Sequence, residues 1–271
     1  MVSVLKLMEQ GKYDLAIPLL ERKCEQGGGR QDLARLGWAY FLVGKVAKAT
    51  KEFDKAIDAE IRVRQRCDST YAIAGICRWI RRMQEEAVAT WMQGLRCDYS
   101  GHNSFLIPSL LWYVSRVAPS LYRSRDAIKI FRELVTKEKN KLQRFASMRE
   151  QYAELSGIIP LESECWSLPI GKYILGEICG AELKKIAQDP KRHELTRRRQ
   201  LGESCFYIAI NELSRRDGEH CANELNNCLA LLADWHCPEY FLARHELKQL
   251  RKQAKNSAQR KPTKGPGKPS S

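Results

Sequence analysis

No stretch of this sequence reaches the roughly 18 consecutive apolar residues that a membrane-spanning helix needs. The most apolar run, Phe105 to Val114, is ten residues long and is interrupted by Pro108 and Ser109. A basic segment leading into a long apolar one is also missing at Met1-Val-Ser-Val-Leu-Lys6, so no secretory leader is visible and a cytoplasmic address is expected. Long alternating β-branched runs are absent, which argues against a sheet protein. No Cys-x-x-Cys pair occurs among the ten cysteines, at Cys24, Cys67, Cys77, Cys97, Cys165, Cys179, Cys205, Cys221, Cys228 and Cys237. Scattered thiols in a chain of this length pack as small apolar side chains, so reduced and mostly buried cysteines are expected.

The local patterns of catalysis are incomplete wherever they begin. His193-Glu194 and His245-Glu246 suggest a zinc protease, but a second histidine must follow four residues after the first, and those positions hold Arg197 and Gln249. His220, Cys221, Cys228, His236 and Cys237 are ligand types that suit zinc, yet their spacing fits no zinc-binding framework. Cys221, Ala222 and Cys228 suit the core of a helix instead. Gly27-Gly-Gly-Arg30 lies between two helical segments, without the preceding strand or the following Lys-Ser/Thr of a phosphate loop, and reads as a turn. The chain is therefore expected to be no enzyme and to need no metal or cofactor.

What is present is a basic balance, +14 in all, set unevenly along the chain. From Lys248 to Ser271 there are eight cations and no acid. Without them 38 basic side chains face 32 acidic ones, an excess of six. The end, Lys261-Pro-Thr-Lys-Gly-Pro-Gly-Lys-Pro-Ser-Ser271, has no apolar side chain to offset ordering entropy, so 255–271 is expected to be a disordered basic tail. Further clusters stand at Arg62-Val-Arg-Gln-Arg66, Arg78 to Arg82, and Lys191-Arg192 with Arg197-Arg-Arg199.

Helical periodicity with Gly or Pro punctuation about every 15 residues predicts an all-α chain. The helices fall at 2–10, 13–26, 30–43, 46–60, 67–82, 85–97, 104–118, 123–138, 140–156, 170–187, 194–215, 218–233 and 238–253. Within them a pattern repeats. Leu33, Leu36, Gly37 and Tyr40 precede the turn Gly44-Lys45, and Ala49, Phe53 and Ala56 follow. Tyr71, Ala74 and Gly75 precede Ala87, Trp91 and Gly94 in the same register. Small residues at Gly37 and Ala49 let two helices approach closely while aromatics plug the space between them. Gly11 to Leu20 and Arg125 to Leu134 look like further second helices of hairpins. These residues resemble the tetratricopeptide repeat over 1–96, with a weaker echo at 205–247; the helix-stopping proline of the pattern is replaced by Ile61.

The resemblance implies a right-handed solenoid of antiparallel helical hairpins, with repeats over 1–156, a degenerate continuation over 157–254 and a seam at Gly157–Pro169. It also implies that first helices line a concave groove, with Ala34, Trp38, Phe41 and Leu42, then Ala72, Ile76, Trp79 and Ile80, pointing inward. An aromatic groove is filled either by a partner or by the chain's own later helices. If by a partner, Trp38, Phe41, Leu42 and Trp79 anchor it and Arg35, Arg78 and Arg82 form a rim that steers an acidic protein. The implied function is protein binding, as in immunity proteins that cap a bacterial toxin domain, assembly chaperones or adaptors. Nucleic acid, held by the Arg/Lys clusters and the tail, is the competing partner.

Overall fold

A computed structural model describes residues 3–64, 67–96, 105–137, 139–140, 166–214, 218–233 and 237–259. Among them every regular element is a helix. The first six are α1 (Val4–Glu9), α2 (Tyr13–Glu25), α3 (Arg30–Leu42), α4 (Val46–Arg62), α5 (Asp68–Ile80) and α6 (Gln84–Gly94). Then come α7 (Leu106–Val117) and α8 (124–137). The C-terminal set is α9 (Ser167–Ile174), α10 (Gly180–Ala187), α11 (Glu194–Ser214), α12 (Gly218–Leu231) and α13 (Pro238–Gln259). Among the described residues no helix is long and apolar enough to cross a membrane.

Three expectations need correction. The single helix over 170–187 is two, α9 and α10, because the chain turns at Gly176 with φ +76°. Pro169 of the expected linker lies inside α9, in its first turn, where a missing N–H costs no helical bond. The last helix continues to Gln259 rather than ending near 253, so the first residues of the expected tail are helical. The helix expected at 140–156, most of the linker and the inserted residues 97–104 lie outside the described residues.

The hairpin turns share one construction. After α3, Gly44 N–H donates to the Phe41 carbonyl (3.0 Å) and Lys45 N–H to that of Tyr40 (2.8 Å). This closure needs a left-handed residue, and Gly44 supplies it at φ +80°. Gly11, at φ +70°, closes α1 in the same way. Arg82 stands at the corresponding place after α5, with its N–H on Trp79 (2.9 Å) and that of Met83 on Arg78 (3.0 Å). It adopts φ +66° despite its side chain.

The repeated small residues do what their pattern implies. A methyl at Gly37 would lie 3.1 Å from the Phe53 ring, and one at Gly75 would fall inside the Trp91 indole. Trp91 donates from Nε1 to the Ala72 carbonyl at 2.9 Å, and Ala49 and Ala87 are fully buried beside these contacts. Each hairpin is thus a shape-matched pair, and α3 with α4, and α5 with α6, are among the most extensive helix contacts.

The C-terminal helices return onto this N-terminal group. α13 packs on α5 and on α11, and α11 packs on α7 and α12. One hydrophobic core consequently runs from Leu7 to Leu247, with Trp79, Trp91, Trp112, Tyr71 and Tyr113 among its largest fully buried side chains. Trp79 meets Tyr113 edge-on at 5.4 Å, and Tyr113 lies 6.1 Å from Phe206, so an aromatic chain ties α5 through α7 to α11.

Candidate interaction surface

The groove over α3 and α5 is closed by α13. Phe241 sets its ring 4.4 Å from Phe41 and 6.3 Å from Trp38, while Trp38 stacks on Phe41 at 5.7 Å. Farther along α13, Glu246 is buried and accepts a hydrogen bond from the Tyr113 hydroxyl. Burial raises the Glu246 carboxyl above its usual range, and the bond from Tyr113 partly offsets this. A buried carboxyl in that position holds the helix in one register, since a slide would leave it desolvated and without its donor.

The seven residues expected to meet a partner are therefore divided. Phe41 and Trp79, 3% and 2% exposed, are core residues covered by this chain, because α13 and α7 bury them more completely than an open groove would. Trp38 and Leu42 remain half-buried at the edge. Arg78 turns inward, is 15% exposed and pairs with Asp54. Arg35, 36% exposed, pairs with Asp32 at 3.3 Å. Arg82 stays at the surface, on the left-handed turn.

Two elements bring the surviving residues together into a strip. Trp38, on α3, touches Phe241, whose far edge meets Tyr240 at 5.4 Å. One turn along α13 from Phe241 stands His245. Its pKa is lowered by burial first, then by the positive charges of Arg82 and Lys248. Arg244 is exposed beside it. The mouth of the closed groove is thus a half-buried aromatic and aliphatic edge (Trp38, Leu42, Tyr240, Phe241) bordered by Arg82, Arg244 and Lys248. The sequence left open whether a partner or a later helix fills the groove; the signal for α13 was a helix with apolar residues on more than one face, at Phe241, Leu242, Ala243, Leu247 and Leu250.

A second cluster lies between α9, α11 and α13. A cavity of about 280 Å³ is lined by Phe105, Trp166, Arg199, Glu203, Tyr207 and Glu239, among others. Glu203 accepts from Trp166 Nε1 at 2.6 Å and Arg199 Nε at 2.7 Å, and Tyr207 donates to Glu239 at 3.1 Å. Glu239 is pushed up to about 7, by burial first and then by the neighbouring Glu203. Cys205, pushed up to about 12, and Cys228 and Cys237, pushed higher, owe their shifts to burial before any neighbouring charge. Thiols so protonated are poor nucleophiles. Cys221 is buried while the adjacent His220 is exposed, and His236 lies outside the described residues. Among the described residues no three His, Cys, Asp or Glu side chains gather as a metal-binding group.

Fold and surface together define a class: an all-helical protein of packed hairpins whose most distinctive surface is an aromatic edge with a cationic border. No family model matches the chain, and no curated protein matches it in sequence.

Proposed function

We propose that this protein is a non-enzymatic binding module that holds an acidic protein partner at the mouth of the closed groove. Trp38, Leu42, Tyr240 and Phe241 supply the apolar contact, and Arg82, Arg244 and Lys248 supply the border. The observation that carries this reading is Arg82. Gly11, Gly27 and Gly44 close earlier helices with a left-handed residue, whereas Arg64 (φ +52°) and Arg82 (φ +66°) keep an arginine there at a cost of about 1 kcal/mol, and of the two it is Arg82 whose charge acts on His245 at the groove mouth. Folding alone favours glycine there, so the guanidinium is retained for what it meets outside the chain. A cytoplasmic address and the tetratricopeptide reading of the N-terminal hairpins, stacked as a right-handed solenoid, belong to the same proposal. So does the narrower role of an immunity protein capping a toxin domain.

The test uses the full chain as bait to isolate a partner, followed by affinity and stability measurements on Arg82→Gly and Trp38→Ala. Arg82→Gly is expected to raise the melting temperature and to slow association, with a weaker salt dependence. Trp38→Ala is expected to speed dissociation. Unchanged affinity in both variants would remove the groove mouth as the binding surface.

A further inference from the structure

The last helix leaves the body of the protein before it ends. Leu242, Ala243, Glu246 and Leu247 of α13 are buried and Leu250 is half-buried, but every residue from Arg251 to Asn256 is exposed. Helix continues to Gln259. Along the outer face run Lys248, Arg251, Lys252 and Lys255, all exposed, at the i, i+3, i+4, i+7 spacing that places side chains on one stripe. The stripe is about 10 Å long, and Arg244 extends it one turn toward the groove. None of these five cations pairs with an acid among the described residues. The nearest acid on the helix, Glu246, points into the core, and no acid follows it in the sequence.

Such an arrangement works against its own helix. Like charges four apart, Lys248 with Lys252 and Arg251 with Lys255, repel by a few tenths of a kcal/mol each. Cations near the C-terminal end recover part of this through the helix dipole. Among the described side chains, those of 251–256 are all exposed. Closely spaced negative charge on a ligand would relieve the repulsion and hold the extension. The chemistry of the stripe also separates two kinds of polyanion. A protein interface needs a dehydrated apolar or aromatic centre, and the only apolar residues in 251–259 are Ala254 and Ala258. A phosphate backbone needs only the charges, because binding is driven by release of its condensed counterions.

We infer that the cationic stripe Lys248–Arg251–Lys252–Lys255 on the projecting end of α13 binds the phosphate backbone of nucleic acid without sequence preference. The stripe adjoins the groove mouth at Lys248, but Arg251, Lys252 and Lys255 lie beyond it, and the inference does not depend on the protein-partner reading.

The test measures binding of the full chain to a fluorescent 20-base-pair duplex of arbitrary sequence and to poly-glutamate of similar charge, across a salt series. One variant reverses the exposed stripe (Arg251→Glu, Lys252→Glu, Lys255→Glu). A second neutralises it with glutamine at the same positions, and a third neutralises the tail (Arg260, Lys261, Lys264 and Lys268, each to Gln). The tail variant is expected to keep duplex binding with a log–log salt slope between about −3 and −4, as four phosphate contacts require. Both stripe variants are expected to lose at least about tenfold in affinity at low salt, with unchanged helicity. On duplex binding the His245 imidazole should titrate higher, as phosphate offsets Lys248. Loss of binding in the tail variant with full binding in the stripe variants would overturn the inference. So would poly-glutamate binding that equals duplex binding and falls by the same factor in the stripe variants.

Discussion

The N-terminal hairpins and the C-terminal helices bury their cores by different means. In α3–α6 the helix crossings are shape against shape: Gly37 under Phe53, Gly75 under Trp91, Ala49 and Ala87 fully buried between helices, while the buried carboxyls Asp32, Glu60 and Asp68 stand at helix ends. In α9–α13 the carboxyls are enclosed within the helices themselves, with Glu203, Glu224 and Glu246 buried along α11, α12 and α13 and Glu239 half-buried beside Glu203. Lys184 serves Glu224 at 2.5 Å, Arg199 serves Glu203, and Tyr113 serves Glu246. Apolar interlocks depend on volume and are indifferent to pH; buried carboxyls depend on the proton and on a partner each. The helix crossings of the first region should therefore break by changes of size, and the mid-helix packing of the second by changes of charge.

The largest effect is expected where the two regions meet. Trp79→Ala removes a buried indole that touches Trp91 and Tyr113, and should cost roughly 3–5 kcal/mol in chemical denaturation. Because the same ring supports α7, both regions should unfold together; a separate first transition confined to one of them would mean the shared core is not cooperative. Trp38→Ala, at a half-buried edge, should cost well under half as much.

Gly75→Ala comes next. Its methyl would displace the buried Trp91 indole, at about 1–3 kcal/mol. Gly28→Ala, whose methyl would strike only local backbone at an exposed or half-buried turn, is no test of the interlock, whereas Gly37→Ala is. There the Phe53 ring must yield only a few tenths of an ångström, so the loss should be smaller than at Gly75. Equal losses at both would show that Trp91 moves as freely as Phe53.

A charge change probes the other region. Glu239 holds its proton to about 7 in the folded protein, against 4.5 when unfolded. Between those values the folded state binds more protons, so stability falls as pH rises from about 4.5 to 7. Glu239→Gln should remove that slope and exceed the native protein in stability above pH 7, by on the order of 1–2 kcal/mol at a half-buried site. Below pH 4.5 the two should coincide. Melting curves across this range settle it; a native slope that survives the substitution would assign the buried proton to another group.

Thiol reactivity makes the finest distinction. Cys77, Cys205, Cys221, Cys228 and Cys237 are buried and Cys179 is exposed. Of the described cysteines, Cys179 should label first under native conditions, the half-buried Cys24 and Cys67 more slowly, and the five buried thiols only on unfolding. Early labelling of Cys228 or Cys237 would show that the C-terminal region opens locally.

The sequence alone settled what depends on neighbours a few residues away. Helical periodicity placed most helix boundaries within a residue or two, and the Gly37, Ala49, Phe53 and Gly75, Ala87, Trp91 patterns identified the hairpin contacts, because a helix pair with one small and one large residue at its crossing has few ways to close. The turn at Gly44 was equally legible. Its counterpart at Arg82 was not, since no local signal marks an arginine that must adopt a left-handed backbone. Only the tertiary structure decided what fills the groove. Phe41 and Trp79 carry the same sequence pattern whether a partner or α13 covers them, and Phe241 is about 200 positions away along the chain from both Trp38 and Phe41. The fate of Glu246 is of the same kind: Tyr113 is distant in sequence, and burial of the carboxyl follows only from docking α13. Local spacing determines which faces of a helix are apolar. Which face finds which is fixed by the closure of loops of a hundred residues and more, and that information lies in the packing of the whole core rather than in any window of the sequence.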